Sequence, residues 1–270
     1  MIVESINIKE KNIKDIISKY ELDEDLLLDV EDSSEIARFL EKKKYTEVIL
    51  KYPIKNDIAT LGIYLEQNKI LFLYNEDFPF TINNSLKTTT MILVDVIYQI
   101  TENYFKILKT TDKKIRKIKL ASKTSVKNND LLTLFELQND LDDYVISIKG
   151  NLGVLNKIIT ITRTNNEFIN DAKIENEQAL ETAVSYSKIV SNLRSTLEII
   201  TNNITNKRME GLTIVNVSAL IITSISGLYG MNVRLPLANI YNIFYYIILL
   251  SIIFALSFGF FLKKKFSEKK

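Results

Sequence analysis

The sequence predicts an α+β membrane protein with an N-terminal cytoplasmic α/β domain, a long helical stalk and two C-terminal transmembrane helices. Three observations support this fold class: mixed strand and helix patterns near the N-terminus, a heptad pattern, and two long uncharged runs. The predicted boundaries are 1–80 for the α/β domain, 81–164 for a helical region, 165–229 for one long helix, 230–239 for an external loop, 240–262 for the second span and 263–270 for a basic tail.

Composition excludes several classes of protein. The first 200 residues carry a net charge of −4 and the last 70 a net charge of +6, with basic residues on both sides of the apolar runs. This distribution favours membrane anchoring over nucleic-acid binding. The chain has no cysteine and no histidine, which excludes disulfides, thiolate metal sites and the usual nucleophile–base pairs. We therefore expect neither an enzyme nor a bound cofactor.

The first 80 residues predict alternating strands and helices. The predicted elements are an edge strand at Ile2–Ile8, a helix at Asn12–Tyr20, a helix from Ser33 or Ser34 to Lys43, and strands at Thr46–Tyr52, Ala59–Leu65 and Lys69–Tyr74. The last two strands form a predicted hairpin around Gln67 and Asn68. Alternating apolar residues predict the edge strand, and residues with high strand propensity predict the other three strands. A serine followed by Ile36, Phe39 and Leu40 at helical spacing predicts the second helix. A cytoplasmic module without a ligand and a ligand-binding domain both remain open.

The helical region follows Pro79. Apolar residues from Leu93 to Ile107 and from Leu134 to Ile158 keep spacings of three and four, and Asn129 or Asp130 can cap the second of these helices. Between them, Lys109–Asn128 is so rich in lysine that we predict a solvated arm or turn.

The most regular pattern precedes the first span. Heptad positions run from Ala172 to Ile204, with small residues near the start and larger ones near the end, and we predict that the helix starts at Asn165 or Asn166. One helix from there to Tyr229 would be about 95 Å long at 1.5 Å per residue. The heptad pattern is consistent with an ordinary coiled-coil stalk and also with a long helix that transmits gating movements.

Two uncharged runs, 212–229 and 240–262, are each long enough to cross a hydrocarbon core of about 30 Å. Lys207 and Arg208 precede the first, and Lys263–Lys265 follow the second. Because basic residues stay inside, we expect both termini in the cytoplasm of a protein of the plasma membrane and the short loop outside.

The two runs differ in character. The second is almost wholly Ile, Leu, Phe and Tyr, and we predict a lipid-facing helix. The first carries polar residues that are unfavourable in lipid, and one helical line joins Met209, Leu212, Asn216, Leu220, Thr223 and Gly227. These residues either face a pore shared by several copies of the chain or hold membrane helices together.

The end of the first span carries a recognisable motif. Gly230, Met231 and Asn232 follow Tyr229, and a short loop, a final span and a lysine-rich segment come next. This arrangement resembles the CorA magnesium transporter family, the two-transmembrane Gly-Met-Asn metal ion transporters. The order of parts matches over the whole chain, although only the last 65 residues match closely.

The resemblance implies a homopentamer in which the first membrane helix of each subunit lines the pore. Asn206 and Met209 resemble the cytoplasmic pore residues, and Leu212 stands at the place of the hydrophobic gate. By the same resemblance, Thr223 and Gly227 would occupy pore-facing places nearer the outside, and Gly230, Met231 and Asn232 would form the selectivity filter. Asn216 is more polar than the family pattern, and Arg234 stands where acidic residues are common.

The resemblance also implies regulation by intracellular Mg²⁺, which bridges acidic residues of neighbouring subunits. Asp171 falls near the acidic position of the family, with Glu175 one turn further on; a solvated acidic face is the alternative for both.

The functional hypothesis is a channel that imports Mg²⁺, with Co²⁺ and Ni²⁺ as further ions. One alternative is a transporter of Zn²⁺ or another divalent cation, with or without proton coupling. A second is a nonconducting two-span scaffold.

Overall fold

The computed structural model describes residues 2–9, 13–55, 57–83, 85–86, 88–122, 127–162, 166–231 and 241–268. The elements are β1 (Ile2–Asn7), α1 (Ile13–Tyr20), α2 (Glu24–Glu31), β2 (Arg38–Glu41), β3 (Thr46–Pro53), β4 (Ile58–Glu66), β5 (Lys69–Tyr74), α3 (Thr89–Ala121), α4 (Asn128–Thr162), α5 (Glu167–Tyr229) and α6 (Ile243–Glu268). They form two compact units, Met1–Leu197 and Glu198–Lys270, which divide within α5.

The first unit contains a five-stranded sheet in the order β1-β5-β4-β3-β2. β1 runs parallel to β5 at one edge, and the other neighbours are antiparallel. The structure confirms the predicted edge strand, the helix that ends at Tyr20 and the hairpin that turns at Gln67 and Asn68.

The predicted helix from Ser33 or Ser34 to Lys43 is wrong. Arg38–Glu41 instead forms β2, which pairs with the first half of β3. Ile36 and Leu40 are exposed, so no apolar helical face is buried there, and pairing with the neighbouring strand overrides the local helix signal. The helix of this region comes earlier, as α2, where Leu26, Leu27 and Val30 are buried.

The sheet is buried on both faces. Leu71 and Leu73 of β5 belong to a core cluster with Leu27 and Val30 of α2. Ile70 and Phe72 alternate with them and are equally buried, as the two-residue period of a strand requires. Both α3 and α4 contact β3. The first unit therefore has a layered α/β core, with helices packed against its sheet.

Asn151 of α4 joins that helix to the backbone of the sheet. β3 pairs with β2 only over Thr46–Ile49. The backbone N–H and carbonyl of Lys51, which lie beyond this stretch of β3, therefore have no partner in β2. The Lys51 N–H donates to Asn151 Oδ1 at 3.0 Å, and Asn151 Nδ2 donates to the Lys51 carbonyl at 2.7 Å. The amide thus replaces a neighbouring strand residue at a buried position.

The predicted lysine-rich arm is wrong over most of its length. α3 continues to Ala121, because Thr111, Ile115 and Ile118 keep helical spacing and stay buried while the lysines lie on the outside. Residues 123–126 lie outside the described residues. α4 begins at Asn128, one residue before the predicted caps.

Candidate functional site

The long helix that carries the candidate pore begins where the sequence predicts. Asn166 Oδ1 accepts a hydrogen bond from the backbone N–H of Phe168 at 2.9 Å, which caps the start of α5. The heptad seam is buried at Ala172, Asn176, Ala179, Ala183, Val190 and Leu197. The last seam residue, Ile204, is 40% exposed. The buried part of the seam therefore lies in the first unit.

Among the residues that the structure describes, two helices are long and apolar enough to cross a membrane, the later part of α5 and Tyr245–Lys264 of α6. Residues 232–240, which include the predicted start of the second span, lie outside the described residues.

The predicted pore line of α5 lies on the exposed side of the helix in this chain. Met209, Leu212 and Leu220 are 60%, 63% and 68% exposed. A Cβ added at Gly227 would meet no atom within 4 Å. All seven predicted pore-lining residues are exposed, and we call them the pore stripe: Asn206, Met209, Leu212, Asn216, Leu220, Thr223 and Gly227.

The other side of α5 packs against α6 through small residues. Ser251, Ala255 and Gly259 are buried at a spacing of four. Ser218 Oγ donates to the Ala255 carbonyl at 3.3 Å, and a Cβ at Gly259 would lie 2.9 Å from Ser218 Oγ. Such residues let helix backbones approach closely in a membrane.

The second span, predicted to be lipid-facing, therefore also carries one narrow face that packs against α5. Three small residues four apart within an Ile, Leu and Phe helix were the signal that the sequence reasoning missed. The contact also shows what the pore stripe does not do: within the described chain, the face of α5 that meets α6 is a different one.

The predicted filter lies where α5 ends. The Gly230 N–H donates to the carbonyls of Ser226 at 3.0 Å and Gly227 at 3.2 Å, and the Met231 N–H donates to the Leu228 carbonyl at 3.4 Å. The Met231 side chain is exposed. Asn232 and Arg234 lie outside the described residues, so their roles stay predictions.

The predicted regulatory residues lie on the first unit. Asp171 is exposed and Glu175 is half-buried. Burial, followed by the charges of Glu175, Glu102 and Asp171, raises the pKa of Tyr98 on α3. Within the described part of the chain, no group of three or more acidic side chains is placed to hold a metal ion.

Comparisons with known proteins agree with this architecture. The cobalt/magnesium transport protein CorA of Methanocaldococcus jannaschii is 24% identical over 229 residues, covering 77% of this chain and 72% of the relative. The complete structure of the CorA magnesium transporter from that organism has a TM-score of 0.71 at 20% identity, covering 96% of this chain and 88% of the other.

A second solved structure, the full-length CmaX protein, has a TM-score of 0.65 at 16% identity and covers 97% of this chain and 86% of its own. The model of the CorA-like Mg²⁺ transporter family matches residues 5–264. The chain therefore belongs to the CorA-like Mg²⁺ transporter family, a family of membrane transporters and not of enzymes.

Proposed function

We propose that this protein is a homopentameric channel that imports Mg²⁺, and also Co²⁺ or Ni²⁺, down the membrane potential. The observation that carries the proposal is the pore stripe, an uncharged and partly polar line that stays exposed on a membrane-spanning helix. Exposure of Asn216 and Thr223 to lipid would be unfavourable. Because one stripe cannot enclose water, several copies of α5 must surround a common axis, and the resemblance sets their number at five.

The chemistry of the proposed filter suits Mg²⁺. This ion gives up its waters reluctantly, so amide and carbonyl oxygens that bind the hydrated ion serve better than carboxylates that strip it. A ring of Asn232 side chains with neighbouring backbone carbonyls supplies such oxygens at the outer end of the stripe. With both termini in the cytoplasm, a divalent ion that moves inward gains about 4.6 kcal/mol per 100 mV of inside-negative potential.

The proposed gate lies at the cytoplasmic end of the stripe. Rings of Met209 and Leu212 present apolar side chains to the axis, and a narrow apolar ring closes a pore by excluding water. Cytoplasmic Mg²⁺ bound between Asp171 or Glu175 and a neighbouring subunit would hold the ring closed. Asp171 is exposed, which leaves its carboxylate accessible to a neighbouring subunit.

Purified protein in liposomes with an imposed inside-negative potential tests the proposal. Wild-type protein should admit Mg²⁺, and Asn232→Ala should reduce the flux about tenfold or more while the assembly elutes unchanged. Asn192→Ala, an exposed residue of α5 outside the stripe, is the matched control and should conduct normally. Full flux through Asn232→Ala would refute the filter. Zn²⁺ flux that needs a pH gradient would favour the zinc transporter, and no flux of any cation would favour the scaffold.

A further inference from the structure

Two buried side chains connect α3 and α5 by a single hydrogen bond. Asn176 of α5 and Thr101 of α3 are both buried, and Asn176 Nδ2 donates to Thr101 Oγ1 at 3.0 Å. Thr101 Oγ1 in turn donates to the Ile97 carbonyl at 2.9 Å. The hydroxyl therefore uses both its donor and its acceptor capacity inside the interface.

The amide of Asn176 is only half satisfied. Its Oδ1 is buried and has no hydrogen-bond partner among the described residues. Exchanging the amide oxygen and nitrogen would give Oδ1 a possible donor in Thr101 and leave Nδ2 without a partner, so one half stays unpaired in either orientation. A buried polar group in this state destabilises the arrangement that contains it.

The rest of the seam around Asn176 is made of alanine. Ala172 lies four residues before Asn176 and Ala179 three residues after it, and both are fully buried. Side chains this small interlock weakly, so packing at these positions contributes little to specifying the axial position of α5. A single polar residue at a core position of such a seam specifies register at the expense of stability.

We propose that Asn176 and Thr101 form a register latch that fixes the axial position of α5 against α3. The hydrogen bond selects one register, and the unpaired half of the amide keeps that register from being strongly favoured over a shifted one. Shifts of one packed helix past another are a known form of conformational switching. α5 runs on without a break to Tyr229, so a shift in the seam moves the helix that carries the pore stripe.

Thermal unfolding of the full-length protein separates this latch from an ordinary structural contact. In Asn176→Ala, Thr101 keeps its bond to Ile97 and no amide is left half-paired, so the apparent Tm should stay equal to that of the wild type or rise. Asn151→Ala, which unpairs two backbone groups of Lys51, should lower it by about 5–15 °C. An equal fall in both variants would overturn the latch.

Cross-linking measures the register itself, since the wild-type chain has no cysteine. Met91 Sδ and Asn166 Nδ2 lie 3.9 Å apart across the α3–α5 interface, so Met91→Cys with Asn166→Cys places two thiols there. Adding Asn176→Ala should slow their reaction with a short thiol cross-linker by about twofold or more, because fewer molecules hold this register. Asn192→Ala should leave the rate unchanged. Equal rates in the Asn176→Ala and wild-type backgrounds would overturn the proposal.

A flux assay tests the functional consequence, which rests on the proposed channel function. The measured quantity is the internal Mg²⁺ concentration at which Mg²⁺ influx falls to half. Asn176→Ala should raise that concentration about fivefold or more, because the axial position of α5 is then less well defined. An unchanged concentration would overturn the link from register to gating. Wild-type protein that conducts no Mg²⁺ would instead overturn the proposed function, and the cross-linking result would still decide whether the latch exists.

Discussion

The α/β core and the membrane helix pair are stabilised by opposite kinds of contact. In the first, large side chains such as Tyr52 and Phe72 are fully buried, and a buried amide is paired at both ends. In the second, α5 and α6 meet through Ser251, Ala255 and Gly259, while the large side chains of α6 remain mostly exposed. Burying apolar area stabilises a protein in water, whereas lipid offers no such gain and rewards close backbone approach.

The largest effect is expected at the amide that joins α4 to the sheet. Asn151→Ala leaves the N–H and carbonyl of Lys51 buried without their partner, and each such group costs about 1–3 kcal/mol. We expect the free energy of unfolding to fall by about 2–5 kcal/mol, measured by denaturant titration with circular dichroism. Asn156→Ala, an exposed position on the same helix, should change it little. A loss of stability no greater than that of the control would show that the hydrogen bonds between Asn151 and Lys51 contribute nothing.

The second effect is expected where α5 and α6 meet through small side chains, so that adding volume should destabilise the contact. Gly259→Leu adds a branched side chain where even a Cβ would lie 2.9 Å from Ser218 Oγ, so the helices must separate. We expect a loss of about 1–3 kcal/mol, seen as a lower midpoint when the protein unfolds in detergent. Gly211→Ala is the control, because a Cβ there would meet nothing within 4 Å. Wild-type stability of Gly259→Leu would mean that small residues do not set this contact.

The smallest effect concerns an ion pair at the surface of the α/β core. Hydrogen bonds from Lys42 and from the backbone of Asp25 hold the pKa of Asp23 below its ordinary value of 3.8. The stabilisation is therefore present above the ordinary pKa and is lost as the pH falls through the lowered one. Since Asp23 is 39% exposed, Asp23→Asn should lower stability at pH 7 by only about 0.2–1 kcal/mol.

A double-mutant cycle with Lys42→Gln checks the assignment of that effect. The coupling between Asp23 and Lys42 should be measurable at pH 7 and disappear in strong acid, where the carboxylate is protonated. Additive effects at pH 7, or a coupling that persists below the lowered pKa, would contradict it.

Sequence patterns predicted the elements whose signals are long or locally complete. Alternation and strand propensity located the four strands β1, β3, β4 and β5, and the predicted start at Asn165 or Asn166 precedes a helix that runs to Tyr229. Secondary-structure prediction failed where the conformation of a short stretch depended on residues far away in the chain. Arg38–Glu41 became a strand because β3 offered an unpaired edge, and the lysine-rich end of α3 stayed helical because its apolar residues reach the core.

For the candidate site, the sequence determined the two spans, the uncharged line of α5 and the Gly-Met-Asn motif, because spacing along a helix fixes which residues share a face. Only the tertiary structure decided which face of α5 meets α6 and which of two buried asparagines is fully paired. Asn151 and Asn176 look alike in sequence, since both occupy a core position of a long helix. Their roles differ because the first meets an unpaired strand edge and the second a single hydroxyl, and such partners come from elements that lie far away in the chain.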